Sequence, residues 1–167
     1  MDVSGKTSQG LASFLEAIKV DQVMAKNFVK VYEDDNVSEA QQKFVQYGVY
    51  YLIVVDHDEK LVGLLSRKYV YKAQSPRKII SEEMDYEPDL IIDGDSFYEK
   101  EVLDNYILRN IMLKHPFTLA AEETLSKAIL NMVYRNIVCI PIVDKKNNVL
   151  GVLTYMEILE FLAKKLS

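Results

Sequence analysis

Cysteine, tryptophan, proline and glycine are scarce in this chain of 167 residues, which has one Cys, no Trp, 4 Pro and 6 Gly. The single cysteine, Cys139, cannot form an internal disulfide, and its apolar neighbours predict that it fills space in a core. Few Gly and Pro beside 49% hydrophobic residues are typical of a folded globular domain. We therefore expect a soluble protein in a reducing, cytoplasmic compartment.

Excess positive charge and long hydrophobic runs are also lacking. The net charge of -5 argues against a nucleic-acid surface, which needs clustered Lys and Arg to neutralise phosphates. No run approaches the roughly 18 apolar residues of a membrane span, and the first ten residues lack the basic and apolar regions of a signal peptide. We therefore expect neither a nucleic-acid partner nor a membrane span.

Motifs of catalysis and metal binding are missing as well. The sequence contains no Gly-x-Ser-x-Gly nucleophile elbow and no Gly-rich loop ending in Gly-Lys-Ser/Thr. His57 and His115 have no Cys or second His at ligand spacing, and Asp93-Gly94-Asp95 lacks the glycine position of a calcium loop. These absences predict a protein with no catalytic residue, no metal site and no required cofactor.

The sequence does contain an internal repeat. Shifting the chain against itself by 88 positions aligns Val23–Tyr71 with Ile111–Leu159 without a gap, so that Met24 meets Met112 and Gly63 meets Gly151. Apolar positions coincide almost throughout the two copies. Because about fifty residues are too few to bury a core alone, we expect the two copies to pack face to face.

Each copy predicts the same order of elements: strand, helix, strand, strand, helix, which is an α+β class. Asn36 and Thr124 precede helical periodicity and are expected to be N-caps. The predicted strands are Val29–Val31, Tyr50–Val55 and Leu61–Ser66, then Phe117–Leu119, Ile137–Val143 and Val149–Thr154. The predicted buried helix positions are Val37, Ala40, Phe44 and Val45, then Leu125, Ala128, Ile129, Met132 and Val133.

Four segments follow from this pattern. Residues 1–22 form an N-terminal segment, with a short helix opened by a capping box at Ser13–Glu16. The first copy spans 23–75 and the second spans 109–167. Between them, 76–108 form an acidic linker, in which residues 81–104 carry ten acidic side chains against one lysine. The conformation and role of this linker stay open.

The repeat resembles a tandem pair of cystathionine-beta-synthase (CBS) domains, also called a Bateman module. The residues that carry the resemblance are Val23-Met-Ala-Lys26, Ile111-Met-Leu-Lys114, Ser126-Lys-Ala128, Ile140-Pro-Ile-Val-Asp144 and Gly151-Val-Leu-Thr154. The resemblance implies two β-α-β-β-α motifs with pseudo-twofold symmetry and two clefts between them. In this family such clefts often bind adenosine-containing ligands, and the pairs often form homodimers.

The resemblance also implies which residues would bind. In the second copy, Gly151-Val-Leu-Thr154-Tyr-Met-Glu157 matches the family pattern, with Glu in place of the usual Asp that holds the ribose hydroxyls. Thr154 would meet a phosphate, and Arg135 could reach one. The expected adenine slot consists of Phe117, Thr118, Ile137, Val138 and Cys139. The alternative is that Thr154 only caps a helix while Glu157 is solvated in the first turn of that helix, and that Arg135 only complements a helix dipole.

The first copy departs further from the pattern. It reads Gly63-Leu-Leu-Ser66-Arg67-Lys68-Tyr69, with Tyr69 in the place of the acid, and Ile53 replaces the proline that is Pro141 in the second copy. Arg67 and Lys68 could attract phosphates and Tyr69 could stack on a base, or all three could be ordinary surface and packing residues. This asymmetry favours one working site.

Two hypotheses of function remain at this point. The first is a regulatory module that senses AMP, ADP, ATP or S-adenosylmethionine and acts on an unknown regulated protein. The second is a ligand-free structural module that works by oligomerisation. A homodimer is expected in either case, and an accessory metabolic enzyme is the least favoured alternative.

Overall fold

The structure is a computed structural model, and it describes residues 3–68, 70 and 106–166. Tyr69, the acidic stretch 81–104 and Asp93-Gly94-Asp95 lie outside the described residues. The helices are α1 (Val3–Ala17), α2 (Val37–Tyr47), α3 (Leu125–Arg135) and α4 (Tyr155–Leu166). The strands are β1 (Lys30–Tyr32), β2 (Tyr51–Val55), β3 (Leu61–Ser66), β4 (Leu113–Lys114), β5 (Cys139–Val143) and β6 (Val149–Thr154).

The two copies build two sheets with the same strand order. In the first sheet, β1 pairs with β2 in parallel, β2 with β3 antiparallel and β3 with β4 antiparallel. In the second, β5 and β6 pair antiparallel, while Leu119 bridges Ile142 in parallel and Ala25 bridges Val152 antiparallel. The predicted α+β class and pseudo-twofold symmetry are confirmed.

The segment that opens each copy lies against the other copy. Ala25 exchanges backbone hydrogen bonds of 2.8 and 2.9 Å with Val152, and β4 pairs with β3 of the first copy. The amides of Val20 and Leu108 donate to the carbonyls of Glu123 and Asp35, respectively, both at 2.9 Å. The segment from Val20 to Ala25 thus packs on the second copy, and the segment from Leu108 to β4 packs on the first. We call these two the exchanged leading segments, and the sequence pattern did not predict their exchange.

Side-chain caps begin the helices that follow the first strand of each copy. The Asn36 side chain accepts from the Glu39 amide at 2.8 Å, and the Thr124 hydroxyl accepts from the Lys127 amide at 3.2 Å. Both predicted N-caps are confirmed. The same helices end in the left-handed region at Gly48 and Asn136, residue types that tolerate positive φ.

Apolar side chains form three clusters, two within the exchanged halves and one between the sheets. The first half buries β2, β3 and α2 with Leu108, and the second half buries β5 and α3 with Val20 and Val23. The third cluster joins Ile53 of the first copy to Cys139 of the second. Face-to-face packing of the copies is thus confirmed, and Cys139 is buried as predicted.

Three local predictions were wrong. Val45 and Val133 are both 67% exposed instead of buried, because each lies one position beyond the stripe that faces its sheet. The capping box at Ser13 does not open a helix, since α1 already begins at Val3. Three strands start one or two residues later than predicted: β1 starts at Lys30, β2 at Tyr51 and β5 at Cys139. The predicted strand Phe117–Leu119 is reduced to a single bridge, which Leu119 makes.

The hairpin turns of the two copies meet each other. Lys60 donates from its Nζ to Asn148 Oδ1 at 2.6 Å, and Asn147 donates from its Nδ2 to the Leu61 carbonyl at 2.8 Å. These contacts join the ends of the two sheets that lie away from Thr154. Among the described helices, none combines the length and apolar character needed to cross a bilayer.

Candidate functional site

Thr154 and Glu157 form a capping box at the start of α4. Thr154 is the last residue of β6, and its hydroxyl accepts from the Met156 amide at 3.1 Å. Glu157 reaches back, so that its Oε2 accepts from the Thr154 amide at 2.8 Å and also from the Thr154 hydroxyl. The hydroxyl and carboxylate predicted to bind ligand are therefore held together by a local helix cap.

The capping box leaves part of the Glu157 carboxylate available. In the part of the chain that is described, the hydrogen bonds to Glu157 all reach Oε2, and none reaches Oε1. Glu157 as a whole residue is partly buried at the surface of the fold. A carboxylate oxygen in such a position can accept charge-assisted bonds from neutral hydroxyl donors.

Cys139 and Ile137 lie beside the capping box. Cys139 pairs with Thr154 across β5 and β6, and the Tyr155 hydroxyl donates to the Ile137 carbonyl at 3.0 Å. Burial raises the pKa of the Cys139 thiol to about 12, and the charge of Glu157 adds to the shift. The thiol is therefore neutral at physiological pH and packs as an uncharged, apolar group in its cluster.

Tyr51 reaches the same place from the first copy, and the sequence analysis missed it. Burial raises the pKa of Tyr51, and the nearby Cys139 and Tyr155 raise it further. Tyr51 also packs against the cluster that contains Cys139. Tyr51 and Cys139 are equivalent positions of the two copies, because they are 88 residues apart. Pairing such equivalent positions across the pseudo-twofold axis could have identified Tyr51 from the sequence.

Gly151 faces protein atoms, not an open groove. A Cβ on Gly151 would lie 2.7 Å from the Ala25 carbonyl oxygen and 2.8 Å from the Met24 sulfur. The close backbone approach that glycine permits is therefore used by the exchanged leading segment. Gly151 positions β6, whose last residue is Thr154, and has no side chain to offer a ligand.

Phe117 and Arg135 form a second group on the outer side of the second copy. The Arg135 guanidinium carbon lies 4.5 Å from the centroid of the Phe117 ring, and its Nε donates to Asn131 Oδ1 at 2.9 Å. Phe117 and Ile137 pack against the same core cluster. Phe117 and Thr118 also line a cavity at the carboxyl end of β5, and Val138 is 36% exposed.

The first cleft is described only in part. Ser66 ends β3 opposite Tyr51, the Arg67 amide donates to the Tyr50 carbonyl at 2.9 Å, and Lys68 is exposed. Tyr69, predicted in the place of the acid, lies outside the described residues. Across residues 3–68, 70 and 106–166, no group of three or more His, Cys, Asp or Glu side chains is placed to hold a metal ion.

Comparison with known proteins places these features in context. The chain is 24% identical over 151 residues to a homoserine O-acetyltransferase of Methanococcus vannielii, covering 90% of this chain but 26% of that protein. The chain thus spans about a quarter of the length of that relative. The chain is also 27% identical to an inosine-5'-monophosphate dehydrogenase of Methanocaldococcus jannaschii and 23% identical to a homoserine O-acetyltransferase of Methanosalsum zhilinae, and it covers 23% and 26% of their lengths, respectively.

Solved structures share the fold. A CBS domain-containing protein of Bacillus anthracis aligns with a TM-score of 0.70 and 22% identity, covering 92% of this chain and 98% of that one. The CBS domain pair of protein MJ0100, solved in complex with 5-methylthioadenosine and S-adenosyl-L-methionine, aligns with a TM-score of 0.66 and 19% identity. That alignment covers 88% of this chain and 97% of the chain in that structure, which is the CBS domain pair.

The repeat itself is matched by a family model. The model of the CBS domain matches twice, over residues 20–76 and 108–164, in the same two regions that the 88-residue offset relates. The exchanged leading segments fall inside both matches. The chain belongs to the CBS domain family and contains two copies of that domain.

Proposed function

We propose that this CBS pair is a regulatory module that senses an adenosyl ligand in the cleft beside Thr154 and Glu157. The observation that carries the proposal is the Glu157 carboxylate, which caps α4 through Oε2 and keeps Oε1 without a partner among the described residues. A ribose offers two neighbouring hydroxyl donors, and a carboxylate can accept both as charge-assisted bonds. One oxygen can thus hold the helix while the other holds the sugar.

The surroundings suit an adenosyl group. Tyr51 comes from the first copy and Cys139 from the second, so a ligand bound beside Glu157 would contact largely apolar side chains of both halves. The Ile137 carbonyl lies at the edge of this wall and can accept from an amino group once the Tyr155 hydroxyl moves away. The similar fold of MJ0100, which was solved with two adenosyl ligands, supports the same ligand class.

The ligand would act by shifting a conformational population. A molecule that touches both copies favours the relative orientation of the halves that it binds better. The change in the populations of the two orientations is limited by the difference between the affinities of the ligand for them. We propose that an as yet unidentified regulated protein reads this orientation, and that the pair itself performs no chemistry.

Isothermal calorimetry with AMP, ADP, ATP, S-adenosylmethionine and 5-methylthioadenosine tests this function. Glu157→Gln is the key variant, since glutamine still caps the Thr154 amide but carries no charge. We expect binding of at least one ligand and about a tenfold loss of affinity in Glu157→Gln, because hydrogen bonds to charged groups are stronger than neutral ones. Glu160→Gln, an exposed change on the same helix, is the matched control.

Two results would contradict the proposal. One is the absence of heat with all five ligands. The other is equal loss of affinity in Glu157→Gln and Glu160→Gln, which would assign the effect to helix charge and not to a ribose contact. Thr154→Ser keeps the hydroxyl and should leave the affinity within a few-fold of the starting protein.

A second candidate function, a ligand-free interaction module, is favoured by the closed state of the site. Thr154 and Glu157 bond to each other, and the Tyr155 hydroxyl occupies the Ile137 carbonyl. Glutamate is also the residue that a capping box prefers at this position, which gives a structural reason for the departure from aspartate. If none of the five ligands binds, this second function replaces the first.

We further propose that the pair forms a homodimer through its helices. On α3, Leu130, Val133 and Tyr134 follow the spacing of one helical stripe and are 47%, 67% and 81% exposed. On α4, Met156 and Leu159 are each 59% exposed. A second copy of the chain would cover these apolar side chains and remove them from water.

A further inference from the structure

The start of α4 uses its hydrogen-bond donors for its own cap. The single proton of the Thr154 hydroxyl is donated to Glu157 Oε2, and the Thr154 amide donates to the same oxygen at 2.8 Å. The Met156 amide donates to the Thr154 hydroxyl oxygen at 3.1 Å. A helix N-terminus binds phosphate through donors that are free. A phosphate would therefore have to break this cap before Thr154 could donate to it.

Glu157 carries a negative charge that no cation neutralises within the described residues. In that part of the chain, no Lys, Arg or His side-chain nitrogen lies within 4.0 Å of its carboxylate oxygens. Arg135, the cation that the family resemblance associates with a phosphate, lies over the Phe117 ring, with its Nε bonded to Asn131 Oδ1. Burial raises the pKa of the Cys139 thiol and the Glu157 charge raises it further, so this charge is felt beside the capping box.

A ligand held through its ribose cannot place its 5′ group outside the field of Glu157. The two hydroxyls that the carboxylate would accept belong to the same sugar as the 5′ carbon. The 5′ substituent therefore lies within one Debye length of the carboxylate, about 8 Å at physiological ionic strength, whichever way the base points. In that position a phosphate is repelled, a sulfonium is attracted, and a neutral thioether is neither.

The side chains near Glu157 also suit sulfur better than phosphate. Tyr51 lies near Tyr155 and the buried Cys139. A phosphate that entered this place would lose water without gaining a cation, which costs free energy. Aromatic rings, in contrast, attract cations over their faces and make favourable contacts with thioether sulfurs.

We propose that the cleft selects adenosyl compounds whose 5′ substituent is neutral or cationic, such as a thioether or a sulfonium, and discriminates against phosphorylated nucleotides. The inference rests on the proposed function, since it requires Glu157 to hold the ribose. Glu157 then determines the class of ligand as well as holding the sugar.

Calorimetry with adenosine, 5-methylthioadenosine, S-adenosylmethionine and AMP tests the selection in the unchanged protein. Adenosine is the reference, because it carries only a hydroxyl at the 5′ position. We expect AMP to bind about tenfold more weakly than adenosine, and the two sulfur compounds to bind at least as tightly as adenosine. The difference between adenosine and AMP should shrink in 1 M salt, where the Debye length falls to about 3 Å.

Glu157→Gln separates the charge from the cap. Glutamine can still accept from the Thr154 amide, so α4 stays capped. Every ligand then loses the charged ribose contact, but AMP also loses the repulsion, so the ratio of the adenosine and AMP affinities should fall from about tenfold toward one. Glu160→Gln removes an equal charge from an exposed position of the same helix and should leave the ratio near its starting value.

The outcomes separate this inference from the proposed function. If AMP binds as tightly as adenosine, or if Glu157→Gln leaves the ratio unchanged, selection by charge is wrong while the adenosyl-sensing function stands. If none of the four compounds binds, the proposed function fails and this inference fails with it.

Discussion

The sulfur of Met24 lies 2.8 Å from the position that a Cβ would take on Gly151, although the two residues belong to different copies of the repeat. Met112 lies against Gly63 in the equivalent contact, with its Cγ 2.9 Å from the corresponding position. Each leading methionine thus covers the glycine of the opposite sheet. These two contacts mark where the exchanged segments join the halves.

The two glycines should respond differently to substitution by alanine. In Gly151→Ala the new methyl meets the backbone oxygen of Ala25 at 2.7 Å, which can move only if the chain moves. In Gly63→Ala the nearest backbone atom, the Leu113 oxygen, is 3.2 Å away and the flexible Met112 can turn aside. We expect Gly151→Ala to lower the free energy of unfolding by about 1–3 kcal/mol and Gly63→Ala to cost less.

Urea unfolding of both variants checks this order. Fluorescence of the tyrosines and circular dichroism should report the same transition if the exchanged halves unfold together. A larger loss in Gly63→Ala would mean that the side-chain contact with Met112 is stiffer than the backbone contact with Ala25.

Much of the fold could be predicted because its signals are local or periodic. Asn36 and Thr124 are good caps wherever a helix follows them, and the 88-residue offset shows that both copies share one topology. The exchange of leading segments could not be predicted, since Met24 and Met112 look alike and nothing in either segment says which sheet it joins. The predicted burial of Val45 and Val133 was wrong because each valine extends the apolar stripe of its helix by one position, and the residue type alone does not show where that stripe stops facing the sheet.

The candidate site was predicted at the level of residues but not of contacts. Thr154 and Glu157 could be found from the spacing of a family motif, and a cap at Thr154 was foreseen as an alternative. The return of the Glu157 carboxylate to the Thr154 amide was not foreseen, because Glu157 was expected to be solvated. The contribution of Tyr51 depends on how two sheets face each other, which is a tertiary relationship. The hydrogen bond from Tyr155 to Ile137 could not be foreseen either, because a tyrosine at the start of a helix has many orientations open to it.

Cys139 should be unreactive in the folded protein. Burial raises the pKa of its thiol from 9.0 to about 12, so the thiolate that attacks disulfide reagents is almost absent at pH 8. We expect the reagent DTNB to label native protein only as fast as it unfolds, and urea-unfolded protein at once. Labelling of native protein at the rate of a free small thiol would contradict the burial.

The same shift gives a pH dependence of stability. The folded pKa is raised above the unfolded value, so the contribution of the neutral thiol is complete below pH 9 and is lost as pH rises from about 9 toward about 12. Cys139→Ser removes this group, although it leaves a hydroxyl in its place. The difference in unfolding free energy between the two proteins should therefore shrink between pH 9 and pH 11 in urea titrations.

Tyr155→Phe separates the two functions proposed for the cleft. The change removes the hydroxyl that donates to the Ile137 carbonyl and should lower stability by about 1 kcal/mol, the usual net value of one such bond. If an adenosyl group needs that carbonyl, the variant should bind it several-fold more tightly, because no internal donor has to be displaced. Calorimetry with the same five ligands measures this, and a weaker affinity would show that the Tyr155 hydroxyl itself contacts the ligand.

The exposed stripe on α3 gives the sharpest test of self-association. Val133 is 67% exposed in the single chain, and a dimer that buries it would have to desolvate any charge introduced there. We expect the unchanged protein to sediment as a dimer at tens of micromolar and Val133→Asp to sediment as a monomer with little loss of fold. Lys146→Asp, an exposed hairpin change away from the helices, is the control for added negative charge and should remain dimeric. A monomeric starting protein rejects the dimer, and a Val133→Asp dimer moves the interface to a surface other than the α3 stripe.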